Sequence, residues 1–109
     1  MTAYFREVFS RDKHSCVYCG KNMLQDFDTF YTSEEDHLVP KRKGGEIDDT
    51  QNIVIACSVC NRFKGGFTPE FAYSNEDRER YIESIRKHIN DRRSHHKQTY
   101  DNWINGVYG

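Results

Sequence analysis

Apolar residues recur at different periods along this chain, and the periods mark out its elements. In "AYFREVFSRD", residues 3–12, Phe5, Val8 and Phe9 fall at helical spacing, which predicts a short helix with Thr2 as its cap. "CVYCG" then reads as a tight turn closed by Gly20. Residues 21–33 show no clear period and read as a loop whose Phe27, Phe30 and Tyr31 pack down onto the core. A short strand is predicted from Thr32 to Val39, ended by Pro40. The Gly- and charge-rich stretch 40–51, "PKRKGGEIDDTQ", reads as a loop. "NIVIAC" is apolar and β-branched, so a second strand is predicted over 52–56. "SVCNRFKGG" reads as a helical segment stopped by Gly65 and Gly66.

The strongest helical pattern is "SNEDRERYIESIRKHINDRR", residues 74–93. Ser74 is its predicted cap, and Tyr81, Ile82, Ile85 and Ile89 form one stripe, with His88 on the apolar side. The tail "TYDNWINGVYG" carries Tyr100, Trp103, Ile104, Val107 and Tyr108, which either pack back on the domain or serve a protein partner. No internal repeat or low-complexity tract interrupts this order. The whole is expected to form one α+β domain over 1–109, with a core at 16–66, a helix before it at 3–12 and a helical extension at 74–109.

Composition sharpens that expectation. Hydrophobic residues are 36% of the 109, a thin core that calls for a staple. The net charge of −1 supplies no global attraction for a polyanion, so nucleic-acid affinity would need local basic surface or a bound cation. No apolar run is long enough to span a membrane, and the first thirteen residues lack a signal-peptide core. The expected setting is therefore intracellular, in a cytoplasm of bacterial or phage-encoded origin, where paired cysteines bind metal more often than they form disulfides.

The cysteines are so paired. Cys16 and Cys19 form one C-x2-C, Cys57 and Cys60 a second. Two such knuckles complete a tetrahedral four-sulfur site, which suits a structural Zn²⁺ because no coordination position stays open. Two disulfides or free buried thiols are the alternative. His14, two residues before Cys16, could compete as a ligand, but four thiolates already saturate the ion and it reads as a surface histidine.

The same folding would bring "EEDHLVPKRKGG", residues 34–45, toward the second knuckle. Asp36 and His37 lie on the first strand, Asn52 opens the second, and Asn61 follows Cys60 directly. A carboxylate, an imidazole and an amide would then share one cleft. Taken alone, His37 reads as a solvent-facing strand histidine, Asn52 as a turn residue and Asn61 as a helix-surface amide. Lys41, Arg42 and Lys43 follow the strand and Arg62 and Lys64 follow Asn61, as candidate nucleic-acid contacts or as a solvated loop. Glu34 and Glu35 read as solvated acids that at most steer a cation. The helix region 78–97 is rich in bases and reads equally as a duplex-crossing surface or a solvated face.

In "CVYCG", "DHLVPKRKGG" and "NIVIACSVCNRFKG", from Cys16 to Gly65, the chain resembles the HNH endonuclease family, in the subgroup with two structural zinc knuckles. The resemblance implies a ββα-metal fold: a β-hairpin and helix around a divalent ion. It implies His37 as general base, Asp36 and Asn61 as ligands of a catalytic cation, and Asn52 as a brace of the loop. Asn stands at 61 where the family name has its last His, an HNN pattern. Oxygen donors at both ligand positions favour Mg²⁺ or Mn²⁺. The implied activity is cleavage or nicking of DNA, leaving 5′-phosphate and 3′-hydroxyl ends. A non-catalytic zinc module that binds nucleic acid, or a subunit of a phage packaging or restriction machine, would keep the same knuckles.

Overall fold

A computed structural model describes residues 1–107. Its elements are helix α1 (Phe5–Arg11), helix α2 (Phe27–Tyr31), strand β1 (Glu34–His37), strand β2 (Ile53–Ala56), helix α3 (Ser58–Lys64) and helix α4 (Arg78–Ile104). Two short 3-10 turns, Lys41–Lys43 and Thr50–Asn52, lie in the connection between the strands. The strands form one antiparallel hairpin that pairs Glu34 with Ala56, Glu35 with Ile55, Asp36 with Val54 and His37 with Ile53. The result is a small α+β fold, consistent with the ββα-metal architecture.

β2 is buried at every position, which is why its run of Ile, Val, Ile and Ala shows no alternation. It shares one buried core with Phe5, Val8 and Phe9 of α1 and with Tyr81, Ile82, Ile85 and Ile89 of α4. Polar ties fix these layers. Asp12 accepts from the Ile55 amide at 2.9 Å, and Arg11 donates to the Thr50 carbonyl at 2.6 Å. Arg86 donates to the Val17 carbonyl at 2.8 Å and so fastens α4 to the first knuckle.

Three departures from the sequence pattern have physical causes. Residues 27–31, predicted as loop, form a helical turn because the Asp26 side chain caps it, accepting from the Thr29 amide at 2.7 Å. Of its aromatics only Phe30 packs inward, edge-on to Phe9 at 5.7 Å; Phe27 and Tyr31 are about 70% exposed (71% and 70%) and stack on each other. β1 is shorter than the predicted 32–39: the Leu38 amide still reaches its register partner, the Asn52 carbonyl, at 2.8 Å, but the Asn52 amide turns back to the Asp49 carbonyl at 2.8 Å and the ladder ends at His37. α4 starts later and runs further than 74–93. Ser74 closes the preceding turn by accepting from the Asp77 amide at 3.2 Å. Past Ile89 the apolar stripe gives out, but Lys87–Asp91, Lys97–Asp101 and Gln98–Asn102 pairs at i,i+4 continue the helix. Tyr100, Trp103 and Ile104 are thus helical and exposed, as is Val107 beyond; Tyr108 lies outside the described residues. No described helix is long and apolar enough to cross a membrane.

Candidate metal centre and adjoining cleft

The knuckles close on one point. The sulfurs of Cys16, Cys19, Cys57 and Cys60 all lie within 4.8 Å of one another, and Cys19 Sγ is 3.8 Å from Cys57 Sγ. A tetrahedron with metal–sulfur bonds of about 2.3 Å has edges of about 3.8 Å, so the donor set suits one four-coordinate ion such as zinc. The first knuckle is shaped by a Ser15–Asn22 bridge and by the left-handed Gly20. The second is the start of α3, where Cys57 is the cap and its sulfur accepts from the Cys60 amide at 3.3 Å. Hydrogen bonds from Cys16 and Cys60 hold the Cys57 thiol far below its ordinary range. Contacts with Cys16 and then Cys57 push Cys60 up, and the bond to Cys57 pushes Cys16 up to about 11. Four thiols this close can all ionise only against a cation. Arg93 on α4 adds positive charge, with Nη2 3.6 Å from Cys60 Sγ. His14 stays outside the cluster, exposed, with its ring against Phe9.

Beside this centre, β1 faces α3. Glu34 and Asp36 project from one side of the strand because strand side chains alternate. Asn61 and Lys64 project from one side of the helix, three residues apart. The sides meet in two rungs: Asn61 Nδ2 donates to Glu34 Oε2, and Lys64 Nζ pairs with Asp36 at 3.0 Å. Asp36 is buried, and its Oδ2 also accepts from the Tyr18 hydroxyl. Burial and the adjoining Asp36 carboxylate push the Tyr18 phenol well up, so it stays a donor.

This corrects one expectation. Lys64 is no exposed phosphate contact: it is 2% exposed, and its ammonium is bound to Asp36 and, at 2.7 Å, to the His37 carbonyl. It does lie on the same side of α3 as Asn61, but that side packs on β1. Lys41, Arg42, Lys43 and Arg62 are exposed. Lys43 turns to the 66–68 segment, donating to the Gly66 carbonyl at 3.0 Å and Thr68 Oγ1 at 3.1 Å. The Arg42 guanidinium lies over Gly66, where an added Cβ would come within 2.1 Å of Nη2.

His37 is half-buried, and its Nε2 is 3.1 Å from the Ile47 carbonyl. A carbonyl only accepts, so Nε2 carries the proton and Nδ1 is the basic nitrogen of the neutral ring. The loop that presents Ile47 is clamped by the buried Asn52. Asn52 Oδ1 accepts from the Val39 amide at 2.9 Å, and Nδ2 donates to the Val39 and Glu46 carbonyls at 3.0 Å each. Gly45 makes this closure possible, since a Cβ there would come within 1.7 Å of the Val39 carbonyl oxygen. Asp36, His37, Lys41, Arg42, Ile47 and Lys64 line a cleft of about 260 Å³. Asn61 is not in its lining; it sits one turn of α3 before Lys64.

Sequence reasoning missed Tyr18, the Ile47 carbonyl, Arg93 and the contact made by Glu34. Only Glu34 left a signal there, as it shares the strand face of Asp36 by period two. The model of the HNH endonuclease family matches residues 16–67. Over 55 residues, 50% of this chain, the sequence is 38% identical to the CRISPR-associated endonuclease Cas9 of Corynebacterium diphtheriae, of which this stretch covers 5%. No solved structure matches the chain.

Proposed function

We propose, from the HNH endonuclease domain that this chain carries over residues 16–67, that it hydrolyses phosphodiester bonds in DNA with the help of a divalent cation. The observation that carries the reading is the fixed imidazole: His37 Nε2 is held by the Ile47 carbonyl at 3.1 Å, in a cleft shared with Asp36 and rimmed by Lys41 and Arg42. Nδ1 is then free to take a proton from an attacking water, the task of a general base. Asn52 does not touch the substrate in this scheme. It braces Val39 and Glu46, hence the Ile47 carbonyl, hence the ring.

The donor chemistry at 36 and 61 fits a hard cation. A carboxylate offers about four lone-pair directions, and Tyr18 and Lys64 leave room on Asp36. Asn61 turns its nitrogen to Glu34, so the acceptor end of the amide is the one left for a cation. Asp36 and Asn61 would hold Mg²⁺ or Mn²⁺, which supplies positive charge to the phosphate and the departing 3′-oxygen. Lys41, Arg42, Lys43 and Arg62 hold flanking phosphates. Zn²⁺ at Cys16, Cys19, Cys57 and Cys60 is structural and keeps α3 in place against the hairpin.

The test incubates zinc-loaded protein with supercoiled plasmid and Mg²⁺, Mn²⁺ or EDTA, beside His37→Ala. Wild type should cut in either metal and stop in EDTA, and the variant should be slower by about 10²–10⁴-fold. Equal cutting by His37→Ala would remove His37 as the base. Wild-type protein that binds DNA without cutting it would instead be a zinc-stapled binding module.

A further inference from the structure

We infer that Glu34 is a positioning residue for the cation site: its carboxylate orients the Asn61 amide so that Oδ1, and not Nδ2, faces the ion. The inference rests on the reading of Asn61 as a cation ligand and adds a residue to it.

Three observations carry it. Asn61 Nδ2 donates to Glu34 Oε2 in a part-buried contact between β1 and α3. A carboxylate cannot donate, so the two ends of the amide are not interchangeable there, as they are for an amide in water. The backbones of both partners are fixed by their neighbours. Glu34 pairs across the sheet with Ala56, the residue before Cys57, and Asn61 follows Cys60 and donates its amide to the Cys57 carbonyl at 3.0 Å. Glu34, Ala56, the second knuckle and Asn61 therefore form a closed ring, and the carboxylate–amide contact is its last link.

The chemistry explains why such a link matters. An asparagine ligates a cation only through oxygen, and its χ2 torsion is broad and roughly two-fold. Without an acceptor at its other end, the amide can present a donor to the ion. A carboxylate behind the amide also draws on the N–H and makes the oxygen a stronger donor to metal. Partners of this kind typically change metal affinity by about 10–100-fold when removed. Glu35, the neighbouring acid, cannot take the role: it faces the other side of β1 and accepts from the Thr2 amide at 2.8 Å.

Attraction of the cation by negative charge alone would make a different prediction, and two variants separate them. Glu34→Gln removes the charge but keeps an acceptor of the same reach. Glu34→Asp keeps the charge but is one methylene too short. We would measure Mn²⁺ binding to zinc-loaded protein by the electron paramagnetic resonance signal of free Mn²⁺, with zinc content and thermal melting as controls of the fold. Glu34→Ala and Glu34→Asp should bind Mn²⁺ about tenfold or more weakly, and Glu34→Gln should recover to within about threefold of wild type. If Glu34→Ala fails to load zinc, the Gln and Asp variants carry the comparison alone. Wild-type binding by Glu34→Asp with loss in Glu34→Gln would overturn the inference in favour of charge. Unchanged binding by all three variants would overturn it outright. Asn61→Ala separates the two failures: wild-type Mn²⁺ binding by it would reject Asn61 as a ligand, whereas weak binding by it beside unchanged Glu34 variants would reject the role of Glu34 alone.

Discussion

The four-cysteine centre and the cleft beside it share α3 but are built on opposite plans. At the centre every donor points at one place: four sulfurs within 4.8 Å, each contact supplied by the chain. In the cleft and on the turn of α3 beside it, the polar groups are spread over facing elements, and each is held from behind by another residue. His37 is held by Ile47, Asp36 by Tyr18 and Lys64, Asn61 by Glu34. The difference matches the two tasks proposed for them. A site that stabilises a fold gains from saturating its ion, whereas a site that acts on a substrate must leave coordination and hydrogen-bonding positions open. The cost of openness is a shell of supporting contacts, and here that shell consumes the nearest lysine.

The largest effect should come from breaking the closed centre. Removing its metal with a strong chelator, or replacing Cys57 by Ser, should unfold the hairpin and α3 together, because structural zinc sites contribute about 10 kcal/mol or more. Far-UV circular dichroism against zinc content is the measurement. A chelated protein that keeps its helices and melts at the native temperature would mean that the core at Phe5, Ile55 and Ile85 suffices without the centre.

A second, smaller break separates support from substrate contact in the cleft. Lys64→Ala leaves the buried Asp36 carboxylate without its counter-charge, and removal of one partner of a buried pair costs about 3–5 kcal/mol. Urea unfolding of zinc-loaded protein should show this loss, while salt-dependent DNA affinity falls no more than the unfolded fraction explains. Arg62→Ala, two residues away and exposed, should do the reverse: unchanged stability and a shallower salt slope of DNA binding. Native stability in Lys64→Ala would return Lys64 to the surface role suggested by the sequence.

That role was suggested for an instructive reason. Spacing in sequence tells which side of a helix a residue shares, and Lys64 does share a side with Asn61; it cannot tell whether that side meets water or a strand. The knuckles were legible because their chemistry is a matter of spacing alone, and Asp36, His37 and Asn52 were legible through the resemblance their order carries. The supporting contacts were not. Tyr18, Glu34 and the Ile47 carbonyl act across 10 to 27 residues of sequence, and only the folded chain brings them opposite their partners. The short helix α2 escaped the hydrophobic pattern too, since its Asp26 cap stabilises it and Phe27 and Tyr31 stack on each other rather than on the core.

The smallest predicted effect lies at the end of α4, the region most unlike either site. Up to Ile89 the helix is held by a buried stripe; beyond it, first by Arg93 and His96 against α3 and then by exposed Lys97–Asp101 and Gln98–Asn102 contacts. Exposed i,i+4 pairs are worth about 0.3–0.5 kcal/mol each. Lys97→Ala should therefore shift the unfolding midpoint by little, whereas the same helix should show steep internal contrast in amide exchange. Amides of 81–89 are expected to exchange only through global unfolding, and those of 94–104 through local fraying several orders of magnitude faster. Equal protection of the two segments would mean that Tyr100, Trp103 and Ile104 are covered in solution, and the end of α4 would then be an interface and not a solvated helix end.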